Sequence, residues 1–435
     1  MLIEFSVGNY RSFKEVVTLS MVATSLTAKD KRIDESNTFR VDENLRLLKS
    51  VAIYGANASG KSNLVDAIGF MKWFIINSSK ATQINETIPI KRFRLSSETD
   101  AEPSYFEIVF ILEGKIYRYG FEVNEKRVIS EWLFHVPKKK EHFLFERRLD
   151  TFKMTNIYSE GKYLKDKTRE NALFLSVVAQ FNGKISQKIL SWIGELILLS
   201  GLHGDIYREI TADYFKNPQY QQEIIQLIKK LDLGIESISV KQSFVELTKD
   251  YLPGNIPEDL KKVILDSMQD ATLQTPANIK TLHQKYDAEG NQTSKELFDL
   301  DDDESEGTKK LFAFAGPLLE ALKEGSILII DELAARLHPL MTREIVKLFN
   351  SNETNPRNAQ LVFMTHDTNL LTNALFRRDQ IWFVEKNRKG MSNLYSLAEY
   401  TVRNDASFEK DYIKGKYGAI PYIGDLRGLI DSWNE

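Results

Sequence analysis

A segment of eight residues near the start of the chain combines the residue types that a phosphate-binding loop requires. It reads Gly55-Ala56-Asn57-Ala58-Ser59-Gly60-Lys61-Ser62. It directly follows an apolar, strand-like run, Val51 to Tyr54. Glycines at both ends let the backbone approach a phosphate without Cβ collisions, and the N-terminus of a following helix attracts negative charge. The pattern predicts a site for a nucleoside triphosphate. The alternative is a glycine-rich strand-to-helix turn with an incidental lysine.

The end of this segment supplies the groups that would contact the nucleotide and its metal. Lys61 is expected to reach the β- and γ-phosphate oxygens, and the Ser62 hydroxyl is expected to bind Mg²⁺. Asn63 is the next residue and belongs to the same candidate cofactor-binding segment. We therefore expect Lys61 to be catalytic as well as cofactor-binding.

Two further strands, far downstream, each end in groups suited to phosphate chemistry. The first runs from Ser326 to Ile330 and is followed by Asp331 and Glu332. We predict that Asp331 holds Mg²⁺ through water and that Glu332 polarises the attacking water, because adjacent side chains at a strand end point to different sides. The alternative is a strand followed by an acidic helix cap. The second strand, Gln360 to Met364, precedes His366, which is expected to donate a hydrogen bond to the γ-phosphate.

A second candidate anion cradle precedes the helical run from Leu311 to Leu322. Its residues are Ser305, Glu306 and Gly307. A serine and a flexible glycine at a helix N-terminus can bind an anion, and we expect this cradle to hold the γ-phosphate bound by another copy of the chain. The alternative is an ordinary helix N-cap.

The surrounding pattern predicts the elements that position these groups. A helix is expected from Lys61 to about Ser78, and residues alternate with period two from Tyr105 to Leu112 and from Ile116 to Val123, as in antiparallel strands. Further strand-like runs, to 157, extend this meander. We predict an ATPase-head half at 1–170, a mostly helical insertion at 171–297 that could bind a partner, and a second head half at 298–435. Helices in the insertion are predicted at 185–199, 220–231 and 260–268.

The order of these motifs resembles that of the ABC-type ATPase heads, the group that includes SMC, Rad50 and RecF proteins. The opening from Phe5 to Phe13 is similar to the first strand of the group, and through it Arg11 joins the candidate cofactor-binding residues. More narrowly, the segments 304–311, 330–339 and 415–421 resemble the bacterial AAA15 ATPases, which include RloA and abortive-infection proteins of the AbiL type. The resemblance implies an α/β P-loop fold of ABC-head type, ATP and Mg²⁺ as ligands, ATP hydrolysis, and a homodimer or a larger even-numbered oligomer.

The resemblance also implies a biological role. It is that of the sensor or regulatory subunit of an anti-phage system, controlling a separate effector, a toxin or nuclease, encoded by an adjacent gene. Ala334 departs from the pattern, since an acidic residue is expected there, and no glutamine is assigned to the Q-loop. The alternative role is a DNA-repair clamp of RecF or Rad50 type, and a weaker one is a nucleotide-regulated scaffold.

Composition narrows the possible classes of protein. The chain has 435 residues, 42% of them hydrophobic, a net charge of -3 and no cysteine, which excludes disulfides and thiolate metal sites. The charge argues against nucleic-acid binding over the whole surface, although the basic triplet at 138–140 leaves local contact open. No apolar run approaches the roughly 20 residues needed to span a bilayer, so we expect a cytoplasmic protein with no membrane partner.

Two other kinds of site are not expected. Too few residues follow His366 for a Toprim nuclease domain, and the histidines lack the spacing of a zinc or HNH site, so no nuclease activity of the chain's own is predicted. The acidic stretch at 299–306 is expected to be solvated rather than to hold an ordered metal.

Overall fold

The chain forms two compact units. The computed structural model describes residues 1–80, 83, 85–136, 141–202, 205–231, 234–241, 244–246, 272–274, 277–403 and 406–421. One unit comprises Met1–Leu202 with Glu320–Glu435, and the other comprises His203–Leu319. The insertion thus begins and ends about 20 to 30 residues later than the predicted bounds of 171 and 297. The basic triplet 138–140 and the predicted helix 260–268 lie outside the described residues.

The N-terminal part of the first unit contains most of its strands. They are β1 Leu2–Gly8, β2 Val17–Ser20, β3 Thr38–Arg40, β4 Arg46–Leu48, β5 Ser50–Tyr54, β6 Ser104–Leu112, β7 Lys115–Val123, β8 Val128–Val136, β9 His142–Arg148, β10 Thr151–Met154 and β11 Ile197–Ser200. The helices are α1 Lys31–Ser36, α2 Lys61–Asn77, α3 Phe174–Gln180 and α4 Lys184–Gly194. The helix predicted at 185–199 therefore ends at Gly194, and its last residues form β11.

The insertion contains both helices and strands. Its elements are α5 Asp205–Tyr214, α6 Pro218–Lys230, β12 Ile235–Lys241, β13 Phe244–Glu246, β14 Thr272–Gln274, β15 Asn278–Tyr286, β16 Gln292–Asp299 and α7 Glu306–Glu324. Strands β12, β15 and β16 form an antiparallel sheet in that order, and β13 pairs with β14. The described part of the insertion thus contains strands that the sequence did not predict, in addition to helices. The helix predicted at 220–231 is confirmed as α6.

The C-terminal part of the first unit returns to alternating strands and helices. Its elements are β17 Ile327–Asp331, α8 Pro339–Asn350, β18 Gln360–Met364, β19 Ile381–Lys386, β20 Ser392–Ser396 and α9 Phe408–Ile413. Short 3-10 turns occur at 98–100, 156–161, 165–167, 368–370, 378–380 and 397–399.

A six-stranded sheet, counted over the described residues, forms the centre of the first unit. Its order is β11-β17-β18-β5-β19-β20, and all neighbours are parallel except the β19–β20 pair. Strands β5 and β18 are buried along their whole length, which explains their continuous apolar runs. In such a sheet the carboxyl ends of β5, β17, β18 and β19 lie at one edge. The α/β architecture predicted from the sequence is confirmed.

The predicted antiparallel lobe is a second sheet of the same unit. Its order over the described residues is β10-β9-β8-β7-β6-β1-β2, and every pairing in it is antiparallel. Alternate residues of β6, such as Phe106, Ile108 and Phe110, are buried. They belong to the same hydrophobic core as the buried face of α2, which includes Leu64 and Phe74. This packing joins the lobe to the helix that follows the phosphate-binding segment.

Candidate nucleotide site

The predicted phosphate loop connects the buried strand β5 to the helix α2. Gly60 has a φ of 115°, a backbone conformation that favours glycine. A Cβ atom at Gly60 would lie 2.6 Å from the Ser12 hydroxyl and 2.5 Å from the Ser392 hydroxyl. A Cβ at Gly55 would lie 2.3 Å from the Val384 carbonyl oxygen. Glycine at both ends is therefore required by the packing of the loop itself.

Lys61 begins α2 and is held over the loop that precedes it. Its side chain is buried, and its ammonium group donates to the carbonyl oxygens of Gly55 at 3.0 Å and Ala56 at 3.1 Å. Burial lowers the pKa of Lys61, whereas the nearby carboxylates of Glu332 and Asp331 raise it. The lysine thus lies beside both carboxylates at the edge of the sheet, bonded only weakly by neutral acceptors.

Asp331 ends β17 and Glu332 follows it, at the sheet edge where β18 and the phosphate-loop strand β5 also end. Asp331 is half-buried, and burial raises its pKa, whereas a hydrogen bond with Ser62 lowers it. One of its oxygens, Oδ1, is buried and has no hydrogen-bond partner in the described part of the chain. The sequence prediction placed Ser62 and Asp331 on one metal ion, and the two side chains are indeed neighbours.

Glu332 and His366 are in contact across the ends of two neighbouring strands. The Nε2 atom of His366 lies 3.1 Å from Oε1 of Glu332. Glu332 has a φ of 55°, which marks a sharp turn directly after β17. Asp331 and Glu332 therefore differ in backbone conformation as well as in their contacts.

A cavity of about 400 Å³ opens at this edge. Its lining consists of Asn57, Ala58, Ser59, Gly60, Lys61, Ser62, Asn63, Glu332, His366 and Lys386. Lys386 was missed from the sequence, since it ends β19, whose place beside β5 becomes evident only from the sheet order. Lys386 is therefore a second cation, besides Lys61, that lines the cavity predicted to hold the phosphates.

Arg11 does not line this cavity. Its guanidinium pairs with Asp66 of α2 at 3.0 Å. The neighbouring residue Ser12 contacts the loop instead, because its hydroxyl accepts from the Asn63 amide at 2.7 Å and its carbonyl accepts from the Ser392 N–H at 2.7 Å. The segment 11–12 thus supports the phosphate loop, and the sequence identified the segment but not the contacting residue.

The remaining candidates, Ser305, Glu306 and Gly307, belong to the insertion. The Ser305 hydroxyl accepts from the Thr308 N–H at 3.1 Å, and its carbonyl accepts from the Lys309 N–H at 3.0 Å. Glu306 forms an ion pair with Lys309 at 3.1 Å. Ser305 therefore caps α7, as the simpler alternative predicted.

The groups at the sheet edge fit a nucleotide with its Mg²⁺. Buried polar atoms without a partner among the described residues include Ser59 Oγ and Asp331 Oδ1, both at the loop end of the sheet. Oxygen atoms of Ser62 and Asp331 are the hard ligands that Mg²⁺ prefers, and Lys61 supplies the cation for phosphate. No group of three or more His, Cys, Asp or Glu side chains suited to a metal ion is found over the described ranges. The acidic stretch at 299–304 accordingly forms no such cluster.

Comparison with known proteins assigns the domain. A family model described as "AAA domain, putative AbiEii toxin, Type IV TA system" matches residues 50–372 of the 435, from the phosphate-loop strand to beyond His366. The chain belongs to this family. Membership of this AbiEii-type AAA family makes it an ATPase of the AAA class and implies ATP as its nucleotide. No curated protein matches the chain significantly.

Solved structures similar to this member of the AbiEii-type AAA family include two SMC heads. The SMC head domain from Thermotoga maritima is 13% identical, with a TM-score of 0.39, and the match covers 92% of this chain and 99% of that chain. An SMC head domain with a coiled coil and joint derived from Pyrococcus yayanosii is 12% identical, with a TM-score of 0.37, and covers 96% and 99%. No helix in the described ranges of the present chain is long and apolar enough to cross a membrane.

Proposed function

We propose that the protein binds and hydrolyses ATP at the cavity between the phosphate loop and the ends of β17, β18 and β19. The juxtaposition of Lys61 with Asp331 and with the Glu332–His366 pair carries this proposal. Bound Mg²⁺, held by Ser62 and Asp331, would offset the charge of the phosphates.

Each side chain of the cavity has a separate task in this proposal. Lys61 exchanges two neutral carbonyl acceptors for phosphate oxygens, which are stronger partners for an ammonium group. Glu332 accepts a proton from the attacking water. His366, whose Nε2 lies 3.1 Å from that carboxylate in the free site, turns to donate to the terminal phosphate when ATP binds. We propose a cytoplasmic location, because an ATP-dependent role needs a compartment in which ATP is maintained.

We further propose that ATP joins two copies of the chain, as in ABC-type heads. Ser305 and Gly307 of one copy would contact the terminal phosphate held by the other. The Ser305 position at the start of α7 supports this, because the first turn of a helix offers backbone N–H groups to an anion. The assembly would be a homodimer or a larger even-numbered oligomer.

The biological role proposed is control of a separate effector, a toxin or nuclease encoded by an adjacent gene, in anti-phage defence of the RloA and AbiL kind. The match of residues 50–372 to a family described by a toxin–antitoxin system supports this placement. The insertion at 203–319 is the proposed partner-binding region. It adds a β-sheet and helices to the ATPase core, and such additions commonly carry interactions.

The test is the particle mass of the Glu332→Gln protein with and without ATP and Mg²⁺, alone and with the product of the adjacent gene. This variant keeps the nucleotide ligands but removes the proton acceptor, so ATP should accumulate and a dimer or larger even-numbered assembly should form. Retention or release of the neighbouring product on ATP addition would support the defence role. Assembly only on added DNA, with no response to the neighbour, would replace it by a RecF- or Rad50-like DNA clamp.

A further inference from the structure

The acidic stretch that precedes α7 is bonded to the rest of the insertion at several points. Lys280 of β15 donates to Asp299 at 2.8 Å, and Arg208 of α5 donates to both carboxylate oxygens of Asp301 at 2.5 and 2.6 Å. The Leu300 N–H donates to the Ile279 carbonyl at 3.0 Å. Asp299 and Asp301 thus each pair with a cation, and the Asp301 side chain is still 53% exposed, as expected of a solvated carboxylate.

Glu304 makes the last of these contacts, and it directly precedes Ser305, which is proposed to contact the nucleotide. Glu304 Oε1 accepts from the Thr281 hydroxyl at 2.5 Å and lies 2.7 Å from Nε2 of His283. The Glu304 carboxylate is only 9% exposed, and Thr281 is fully buried. Glu304 Oε1 therefore contacts two side chains at a position that is largely removed from water. Losing a hydrogen bond at such a position is costly.

Strand geometry explains why two residues converge on this carboxylate. Thr281 and His283 are two residues apart on β15, so both point to the same face of the β12–β15–β16 sheet. The His283 ring also packs on Phe298 of β16, with ring centroids 4.6 Å apart. The strand thereby presents a fixed donor pair to residue 304.

The residue that follows Glu304 is Ser305, which caps α7. Holding the Glu304 side chain fixes the chain direction one residue before Ser305 and three residues before Gly307. We infer that Thr281 and His283 are positioning residues for the Ser305–Gly307 segment, so that the β12–β15–β16 sheet and this segment move together. This inference rests on the proposed contact of Ser305 and Gly307 with the nucleotide of a second copy.

The inference has a functional consequence. A partner that binds the β12–β15–β16 sheet and shifts β15 would change the position of Ser305 through Glu304. Conversely, closure of Ser305 on a nucleotide would be transmitted to the sheet, since coupling between two sites is reciprocal. The Thr281–His283–Glu304 contact is thus the proposed link between partner and nucleotide.

The experiment compares three substitutions in the full-length Glu332→Gln protein. Glu304→Ala removes the acceptor, Glu304→Gln keeps a carbonyl oxygen that can accept from Thr281 and His283, and Asp302→Ala changes an exposed carboxylate in the same stretch. Two quantities are measured: the affinity for a fluorescent ATP analogue at low protein concentration, and the protein concentration at half-maximal ATP-driven assembly. The first reports on the phosphate loop and the second on Ser305.

The expected result separates the two quantities. Glu304→Ala should keep the affinity for the analogue but raise the half-maximal concentration by about tenfold, the size of effect that loss of a buried hydrogen bond produces. Glu304→Gln should restore most of the assembly, and Asp302→Ala should assemble like the parent. His283→Leu, a second disruption, should resemble Glu304→Ala.

Three results would overturn the inference. Normal assembly of both Glu304→Ala and His283→Leu would show that the contact does not position Ser305. A parallel loss of analogue affinity would show a general structural defect. If the Glu332→Gln parent itself fails to assemble with ATP, the two-copy proposal is wrong and the inference falls with it, a result that is distinct because it precedes any change at Glu304.

Discussion

Glu131 and Asp331 of the first unit each lie near a cation, and they differ in how far their polar atoms are satisfied. In the antiparallel lobe, Glu131 is fully buried and accepts from the Tyr119 hydroxyl at 3.0 Å and from the Phe174 and Leu175 N–H groups at 2.6 and 2.9 Å. Its partner Arg147, 3.9 Å away, donates to three backbone carbonyls. At the phosphate loop, Asp331 retains a buried oxygen without a partner among the described residues.

The comparison shows which property distinguishes a ligand site from a structural one. Burial raises the pKa of Glu131 and of Asp331 alike, and Arg147 or Ser62 opposes the shift in each case. The larger cavity, about 840 Å³, is lined in part by Glu131 and Arg147, whereas the phosphate-loop cavity is about 400 Å³. Neither pKa direction nor volume separates them. The two places are distinguished by incomplete hydrogen bonding at Asp331, because a buried oxygen without a partner is costly unless a ligand satisfies it.

The largest effect is expected from Glu131→Ala, which tests whether the Glu131–Arg147 pair serves stability and not ATP binding. Removing one partner leaves Arg147 buried without its countercharge, so the free energy of unfolding should fall by about 3–5 kcal/mol. Urea denaturation followed by fluorescence measures this, and calorimetry should find the ATP affinity of the folded protein unchanged. Glu122→Ala, on the same sheet but half-exposed, is the control and should cost less than about 1 kcal/mol. A loss of ATP affinity in Glu131→Ala would erase the distinction between the two places.

Two lysines of α2 that have similar contacts test whether the phosphate loop binds ATP. Lys61 donates to two loop carbonyls, and Lys72 donates to the carbonyls of Gly194 and Leu196 at 2.8 and 2.6 Å. Lys61→Ala should weaken ATP binding by at least about 100-fold, because a charge-assisted phosphate contact is lost. Lys72→Ala should leave the affinity within about twofold. Equal affinities of the two variants in titration calorimetry would refute the phosphate-loop assignment.

Sequence alone predicted the phosphate-loop edge well and the rest of the molecule less well. Loop, strand and helix of such a motif are local in sequence. The apolar strands were also located to within one residue, since β17 ends at Asp331 and β18 ends at Met364, before Thr365. The sheet of the insertion was missed because β16 is exposed along most of its length and shows no period-two burial. Lys386 was missed because its relevance depends on strand order, a non-local property.

A smaller effect is expected from the loop backbone. Gly60→Ala places a methyl group against Ser12 and Ser392 at a φ of 115°, so the loop must shift, and ATP affinity should fall by about tenfold. Gly114→Ala is the control, since Gly114 also has a positive φ, 73°, but a Cβ there meets nothing within 4 Å. Competition with a fluorescent nucleotide measures both variants. Unaltered affinity of Gly60→Ala would mean that the close packing does not shape the site.

The last prediction concerns stability rather than binding, at a third buried lysine, which lies at the opposite end of β5 from the phosphate loop. Lys49 is fully buried, and its ammonium group donates to Asn352 Oδ1 at 2.5 Å. Burial lowers the pKa of Lys49 to about 8 from its ordinary value of 10.5. Between these values the unfolded chain binds more protons, so the stability contributed by this group rises with pH across that window. Lys49→Met should remove the rise, whereas Lys29→Met, at an exposed position, should keep it.

Unfolding free energies measured at about pH 7.5 and pH 10 would check this prediction. An identical pH dependence of the unfolding free energy in wild type and Lys49→Met would contradict the prediction. It would show that burial does not lower the pKa of Lys49.

The central claim is that ATP binds where polar atoms are left unsatisfied, at the phosphate-loop edge, and not in the larger groove beside Glu131. A crystal structure with a non-hydrolysable ATP analogue and Mg²⁺ tests this most directly. We predict phosphate oxygens against the 55–62 backbone, Lys61 turned from the Gly55 and Ala56 carbonyls toward them, and the metal bound by Ser62 with Asp331 in its shell. Nucleotide in the groove lined by Glu131 and Arg147, or an unmoved Lys61 beside a vacant loop, would contradict the account.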